Sequence, residues 1–315
     1  MTFPVRRSSR RGVRAPAAAL LATVCMLASA GCGTGDDDPA PTSSDVKEPV
    51  SEGSAEPEAQ EPSESPTETP TTDEGTVVPI YWVGDGPGGE SRLFREFHRV
   101  EGNPLTEAAR LVMGGGQPDD PDYRTLWPQV EVADVGATDG VLLVQVAGDG
   151  FTERPDGMSK RDAELAMQQL VYTLQGVQQE RVPVQVMRTA DDVPLLGMPT
   201  AVPVEQASAL ETLNLVSITS PEEGATVTSG TLTVTGVANS FEASGPCRLL
   251  VDDVEMVVQP YQAEGWMEDR LFPFEVDFPL EGISGEVVVQ CETDDPSGGA
   301  EGDGPSIDTK TITVG

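Results

Sequence analysis

Histidine, the side chain that most often carries general acid–base chemistry, occurs once in this sequence. His98 lies in an apparent strand, within Phe97-His98-Arg99, and we expect it at the surface or at a strand edge. A Ser-His-Asp or Cys-His nucleophilic site could use only this residue. No HExxH, CxxC or EF-hand pattern occurs in the sequence. These observations predict that the protein is not an enzyme and that it has no catalytic residues and no cofactor.

Carboxylates are abundant, and two acidic turns could in principle hold Ca²⁺, which prefers oxygen ligands. These turns are Asp119-Asp120-Pro121-Asp122 and the segment that begins Asp294-Asp295-Pro296. Turn chemistry on an acidic surface is the preferred interpretation of both. We therefore predict no metal site and keep Ca²⁺ binding as an alternative.

The first residues indicate export and lipid attachment. Five arginines and no acid lie within residues 1–14, and an apolar run follows from Ala15 to Ala30. This pattern predicts a secretory signal peptide over residues 1–31. Its end, Leu27-Ala28-Ser29-Ala30-Gly31-Cys32, matches the bacterial lipobox and predicts that Cys32 carries the lipid. The alternatives are an ordinary signal peptide with a coincidental cysteine and, for the route, Sec or twin-arginine export.

Two other cysteines, Cys247 and Cys291, remain after removal of the signal peptide and lipidation of Cys32. Each lies in a strand-like run, and an even pair in an exported protein is typical of a disulfide. We predict a structural Cys247–Cys291 disulfide; two buried free thiols are the alternative.

The charge balance excludes one class of partner. The chain has 53 acidic and 19 basic residues, a net charge of −34. A chain this acidic repels nucleic acid and anionic lipid surfaces. We therefore predict no nucleic-acid partner and membrane contact through the lipid anchor only, at the outer face of the cell membrane.

Residues 32–75 differ in composition from the rest of the chain. They are rich in proline, serine, threonine and glutamate and contain no aromatic residue. Such a segment cannot bury enough apolar surface to fold. The sequence predicts a disordered acidic tether that holds the folded part away from the membrane.

Residues 76–204 alternate strand and helix signals. Asn103 can cap a helix that starts at Pro104 and ends at Gly114, and Ser159 can cap a longer one. Five strands are expected: Val77–Val83, Arg92–Val100, Val130–Val135, Val141–Val146 and Val182–Met187. Two helices on a small sheet predict an α+β domain.

From residue 213 to 315 the pattern is one of short strands separated by turns, with no helix signal. Seven strands are expected: Leu215–Thr219, Thr231–Val237, Cys247–Val251, Met256–Gln259, Phe274–Phe278, Val287–Thr293 and Ile307–Val314. This spacing predicts an all-β immunoglobulin-like sandwich.

Both regions resemble known families. Residues 76–204 are similar to the GerMN domain of sporulation and spore germination, and residues 213–315 to the immunoglobulin-like domain of bacterial spore-germination proteins. The first resemblance rests on Val78-Pro79-Ile80-Tyr81-Trp82-Val83-Gly84, Arg92-Leu93-Phe94-Arg95-Glu96-Phe97, Pro104-Leu105, Met158-Ser159 and Leu195-Leu196-Gly197. The second rests on Ser220-Pro221, Gly224-Ala225-Thr226-Val227, Val234-Thr235-Gly236-Val237-Ala238, Asn239-Ser240-Phe241-Glu242-Ala243, Pro273-Phe274-Glu275 and Asp295-Pro296-Ser297-Gly298-Gly299.

The resemblance implies an envelope lipoprotein of an actinobacterium-like organism. GerMN domains are similar to ring-building modules of multiprotein envelope complexes, and they also occur in actinobacterial lipoproteins. We therefore predict a non-enzymatic protein-interaction or assembly module, with sporulation or germination as the candidate process. Its predicted partners are envelope proteins or further copies of itself. The alternative is an extracellular module that binds a ligand, a glycan or Ca²⁺. Tyr261, Trp266 and Phe272 could stack on sugars if exposed, although core packing explains them equally well.

Overall fold

The computed structural model describes residues 75–190, 193–228, 230–295 and 302–315. The predicted signal peptide, Cys32 and the predicted tether up to residue 74 lie outside the described residues. All described residues fall within one compact unit, residues 69–315. Among them, no helix combines the length and the apolar character that a membrane crossing requires.

The N-terminal region, residues 76–204, has the predicted α+β organisation. Its elements are β1 (Thr76–Asp85), β2 (Ser91–Val100), α1 (Pro104–Met113), β3 (Val132–Thr138), β4 (Val141–Val146), α2 (Lys160–Gln178) and β5 (Val184–Met187). Strands β1 and β2 form an antiparallel hairpin. A separate three-stranded sheet has the order β3-β4-β5, and β5 runs parallel to β4. The predicted single small sheet is therefore two sheets.

The two helices start where their capping residues predict. The Asn103 side chain accepts hydrogen bonds from the backbone N–H groups of Leu105 and Thr106, which α1 would otherwise leave unpaired. Ser159 and Asp162 form a capping box at the start of α2. The apolar stripe of α2 packs against β1, where Trp82 is fully buried. The apolar residues at helical spacing on α2 thus form part of the core of this region.

The C-terminal region, residues 213–315, follows a short helix, α3 (Ala209–Thr212). Its strands are β6 (Val216–Ser220), β7 (Thr226–Val227), β8 (Thr231–Ala238), β9 (Ser244–Val251), β10 (Val254–Ala263), β11 (Phe272–Pro279), β12 (Gly285–Glu292) and β13 (Ile307–Val314). They follow the order β6-β8-β11-β10-β9-β12-β13-β7 in one curled sheet. The immunoglobulin-like fold class is confirmed, and all seven expected strands occur. The two-residue β7 is additional.

The curled sheet is nearly divided into two layers. Strands β10 and β11 pair at only two positions, Gln262–Glu275 and Ala263–Phe274. One apolar core fills the space between the layers, and there the Tyr261 and Phe274 rings stack at 4.3 Å between centroids. This near-division places the inward faces of the strands opposite each other, as in a sandwich.

The cysteines and the aromatic residues of this region are mostly internal. Cys247 on β9 and Cys291 on β12 are register partners, both fully buried, and form a disulfide in the structure. Tyr261 and Phe272 are buried as well, so they cannot stack on a sugar. Trp266 is partly exposed and packs edge-on against Phe241 at 5.2 Å. The sugar-stacking alternative is therefore wrong for Tyr261 and Phe272.

Candidate functional site at the junction of the two regions

The N-terminal and C-terminal regions meet along strands β2 and β6. The Asn214 backbone N–H donates to the Leu93 carbonyl at 2.9 Å, and the Arg95 N–H donates to the Ser217 hydroxyl at 3.3 Å. A small apolar cluster that includes Leu93, Tyr172 and Leu213 lies beside these bonds. Backbone bonds and apolar packing thus join the two regions directly.

A buried polar network crosses the same junction. Tyr123, from the loop between α1 and β3, donates its hydroxyl hydrogen to Asp308 on β13 at 2.5 Å. Lys310, two residues further along β13, forms an ion pair with Asp120 of the same loop and donates to the Tyr123 oxygen at 3.1 Å. All four side chains are buried. The Ile218 N–H of β6 also donates to Asp308, so this carboxylate of β13 is bonded to two other segments, the loop and β6.

Burial shifts the pKa values of the ionisable groups in this network. It raises the pKa of Asp308 to about 6, although Lys310 and the hydrogen bonds from Tyr123 and Ile218 act in the opposite direction. Burial and the charges of Asp308 and Asp120 raise the pKa of Tyr123 well above its ordinary value, so the phenol keeps its proton. For Lys310, burial lowers the pKa but the two aspartates outweigh it, and the pKa is raised. Lys310 therefore remains a cation.

Glu96 and His98 on β2 extend the polar contacts on the N-terminal side. The buried Glu96 carboxylate accepts the backbone N–H groups of Asp119 and Asp120 and lies 3.1 Å from His98 Nε2. Burial alone would raise the pKa of Glu96, but the bonds from His98 and the two N–H groups lower it. Glu96 thereby fixes the loop that supplies Asp120 and Tyr123.

His98 lies on a strand edge, one of the two positions expected for it, and its side chain is only 13% exposed. Burial lowers its pKa, whereas Glu96 and Asp119 raise it and have the larger combined effect. The Trp82 indole N–H points at His98 Nε2 from 3.3 Å. Trp82 from β1, Glu96 from β2 and Asp119 from the loop after α1 thus surround the imidazole.

Among the described residues, Glu96, His98 and Asp119 form a group that could hold a metal ion, with one ligand atom from each lying within 4.8 Å of the others. Their atoms are already engaged, however: Glu96 accepts two backbone N–H groups, and His98 Nε2 faces both Glu96 and the Trp82 N–H. An ion here would have to displace these bonds. The arrangement therefore suits a hydrogen-bonded brace better than a metal centre.

The acidic turn Asp119–Asp122, considered above as a Ca²⁺ site, already bonds to other parts of the protein. Asp120 pairs with Lys310 and accepts the Asp122 N–H at 2.8 Å, and Asp122 accepts the Thr309 hydroxyl at 3.2 Å. These carboxylates join the loop to β13. The second acidic turn of that alternative is described only up to Asp295.

This network is not among the contacts predicted from the sequence, although β13 contains a signal for it. Asp308 and Lys310 lie at the buried alternate positions of β13, in phase with Ile312 and Val314. Charged residues at inward positions of a strand indicate a buried polar contact, because successive side chains point to opposite faces.

The comparisons with known proteins bear on both regions. Residues 79–187 match the family described as sporulation and spore germination, and residues 215–300 match the immunoglobulin-like domain of bacterial spore germination. The predicted resemblance is confirmed for both. No curated protein matches the chain.

Solved structures give weaker alignments. The tandem GerMN domains of the sporulation protein GerM from Bacillus subtilis align at 17% identity and a TM-score of 0.31, over 64% of this chain and 60% of that one. An engineered protein aligns at 14% identity and a TM-score of 0.27, over 54% of this chain and 39% of the other. The chain thus spans less than two thirds of the length of either structure.

Proposed function

We propose that this chain, in which a sporulation and spore-germination region precedes an immunoglobulin-like region, is a non-enzymatic cell-envelope lipoprotein that acts as a protein-interaction or assembly module. Both family matches are to germination-related modules. The lone histidine is enclosed by structural bonds, which supports a role without catalysis.

The observation that carries the interaction role is the outer edge of β10. Val254, Met256 and Val258 alternate along this strand and are 59%, 48% and 47% exposed. Strand β10 pairs with β9 along its length but with β11 only at Gln262 and Ala263, so residues 254–261 have no strand partner on that side among the described residues. An apolar edge of this kind accepts a strand from another protein.

The oligomeric state tests this proposal. We would measure the mass of residues 33–315 by light scattering over a concentration series, for wild type, Val258→Glu and the matched control Val202→Glu. Val202 is also exposed, at 66%, but lies outside the strands. A defined oligomer that only Val258→Glu disrupts would support assembly through β10.

If the protein is a strict monomer, the next experiment is cross-linking in the native envelope. A partner that cross-links to wild type and to Val202→Glu, but not to Val258→Glu, would support docking of a different protein. A monomer without such a partner would overturn the interaction role.

The lipid anchor is a separate part of the proposal and rests on the Leu27–Cys32 motif. Replacing Cys32 with alanine would remove the acyl acceptor, and we expect the protein to lose labelled palmitate and to leave the membrane fraction. A Cys32→Ala protein that still fractionates with membranes would contradict the anchor.

A further inference from the structure

A cavity of about 250 Å³ lies between the N-terminal and C-terminal regions. Residues from β1, β2 and α2 form one wall, and residues from the α3 segment and the C-terminal region form the other. Its lining includes Tyr81, Leu93, Arg95, Tyr172, Gln175 and Leu271. The volume is close to the lower end of the range for small-molecule sites.

The charge of the cavity is opposite to that of the protein. The chain carries a net charge of −34, yet three arginines, Arg95, Arg181 and Arg270, line this cavity together with one acid, Glu180. Among the described residues, no carboxylate forms an ion pair with Arg95. Arg270 pairs with Glu268 at 2.8 Å at the exposed rim. A local excess of guanidinium groups attracts anions.

Two buried polar atoms in the lining have no hydrogen-bond partner among the described residues. They are Nε of Arg95, a donor, and Oε1 of Gln175, an acceptor. Gln175 is only 7% exposed, and its amide nitrogen donates to the Val182 carbonyl at 2.8 Å. Buried polar atoms are rarely left unpaired, because the lost hydration is costly. Arg95 and Gln175 are thus incompletely hydrogen-bonded in this structure.

The remaining walls are aromatic and aliphatic. The Tyr81 and Tyr172 rings lie 5.4 Å apart, and Leu93, Leu213 and Leu271 complete an apolar surface. Such a lining accommodates a hydrocarbon or ring body, whereas an inorganic ion alone would leave these walls unfilled.

We propose that this cavity binds a small organic carboxylate that has an apolar body. The carboxylate pairs with Arg95, a geometry that favours strong charge-assisted bonds. The apolar body contacts Tyr81, Tyr172 and the leucines. Because both regions form the walls, an occupied cavity stabilises their junction.

The test uses the full chain and a defined set of probes: monocarboxylates from acetate to 3-phenylpropanoate and 3-phenyllactate, each paired with its primary amide. Binding is measured as a shift in melting temperature and as perturbation of backbone amide signals in two-dimensional NMR. We expect at least one carboxylate to perturb Tyr81, Tyr172 and Gln175 signals and its amide to bind at least about tenfold more weakly.

Three variants identify the site. Arg95→Gln should reduce carboxylate affinity about tenfold or more, and Arg181→Gln, at the exposed rim, should reduce it several-fold without affecting folding. Arg99→Gln is the matched control, because Arg99 lies on the same strand, is exposed and does not line the cavity. The proposal is overturned if none of the carboxylates perturbs cavity residues, if amides bind as well as carboxylates, or if Arg95→Gln binds the carboxylate as tightly as Arg99→Gln does. It is also overturned if Arg181→Gln and Arg99→Gln have the same effect.

Discussion

Replacing Lys310 with methionine removes the cation that faces both Asp120 and Asp308 at the junction. The Lys310 side chain is 3% exposed and that of Asp120 is 2% exposed, so water cannot take the place of the lost ammonium group. Methionine has a similar length and fills the space, which keeps the effect of the substitution electrostatic. The two carboxylates are then left in a buried site without their countercharge.

The expected loss in the free energy of unfolding is large. Removing one partner from a buried ion pair destabilises a protein by about 3–5 kcal/mol, because the remaining charge has lost both water and partner. An exposed pair contributes about 0–1 kcal/mol. Lys160, 75% exposed and paired with Glu164 on α2, provides that comparison. We expect Lys310→Met to be destabilising by about 3 kcal/mol or more and Lys160→Met by less than about 1 kcal/mol.

The stability that Lys310→Met loses should also depend on pH. Burial already raises the pKa of Asp308 to about 6 in the presence of Lys310, and removal of the lysine raises it further. An acid with a raised pKa in the folded state favours folding below its unfolded pKa and loses that contribution as pH rises through the folded value. At pH 5, Asp308 is mainly protonated in both proteins, whereas at pH 7.5 the variant must bury an unpaired charge. The deficit of Lys310→Met should therefore be smaller at pH 5 than at pH 7.5.

Urea unfolding, followed by the fluorescence of the buried Trp82 and Trp127, measures these free energies. A Lys310→Met variant that also carries Asp120→Asn and Asp308→Asn should recover part of the loss, because no unpaired charge remains. Two outcomes would refute the reasoning: equal effects of Lys310→Met and Lys160→Met, or a deficit that does not change between pH 5 and pH 7.5.

Two further predictions concern the disulfide and the single histidine. Reduction of the Cys247–Cys291 bond, which closes a separation of 44 residues, should lower the free energy of unfolding by about 4 kcal/mol, measured as a shift of the urea midpoint with reductant; an unchanged midpoint would contradict it. His98 should titrate above its ordinary pKa, because burial lowers the value but Glu96 and Asp119 raise it more. Its contribution to stability should therefore be present at acidic pH and decline as pH rises through the raised pKa, and His98→Gln should abolish it. As the chain's single histidine, it gives an NMR titration that needs no assignment; a value below the ordinary one would show that burial dominates.

Local sequence patterns predicted the helices and strands well, because each helix or strand depends on interactions between residues that are close in the sequence. Asn103 and Ser159 cap helices through side-chain bonds to residues two or three positions away. The apolar stripe of α2 and the alternation in β8 follow from the repeat of helix and strand. The same patterns do not show which sheet a strand joins. The separation of the β1–β2 hairpin from β3-β4-β5 therefore became visible only in the structure.

The candidate sites depend on contacts between residues far apart in the chain. Asp120 and Lys310 are 190 positions apart, and nothing near either residue indicates the other. The aromatic residues of the C-terminal region illustrate the same limit: the sequence allowed Tyr261 and Phe272 to be exposed or internal, and packing between the layers buries them.

The sequence by itself determined the composition-based and local properties of this protein: its acidity, the helices and strands, the fold class of each region and the resemblance to spore-germination domains. Only the tertiary structure decided that Asp120, Tyr123, Asp308 and Lys310 form one buried network and that Arg95 and Gln175 line one cavity. Hydrophobic periodicity and capping act over a few residues, whereas burial and ion pairing depend on which surfaces meet after folding.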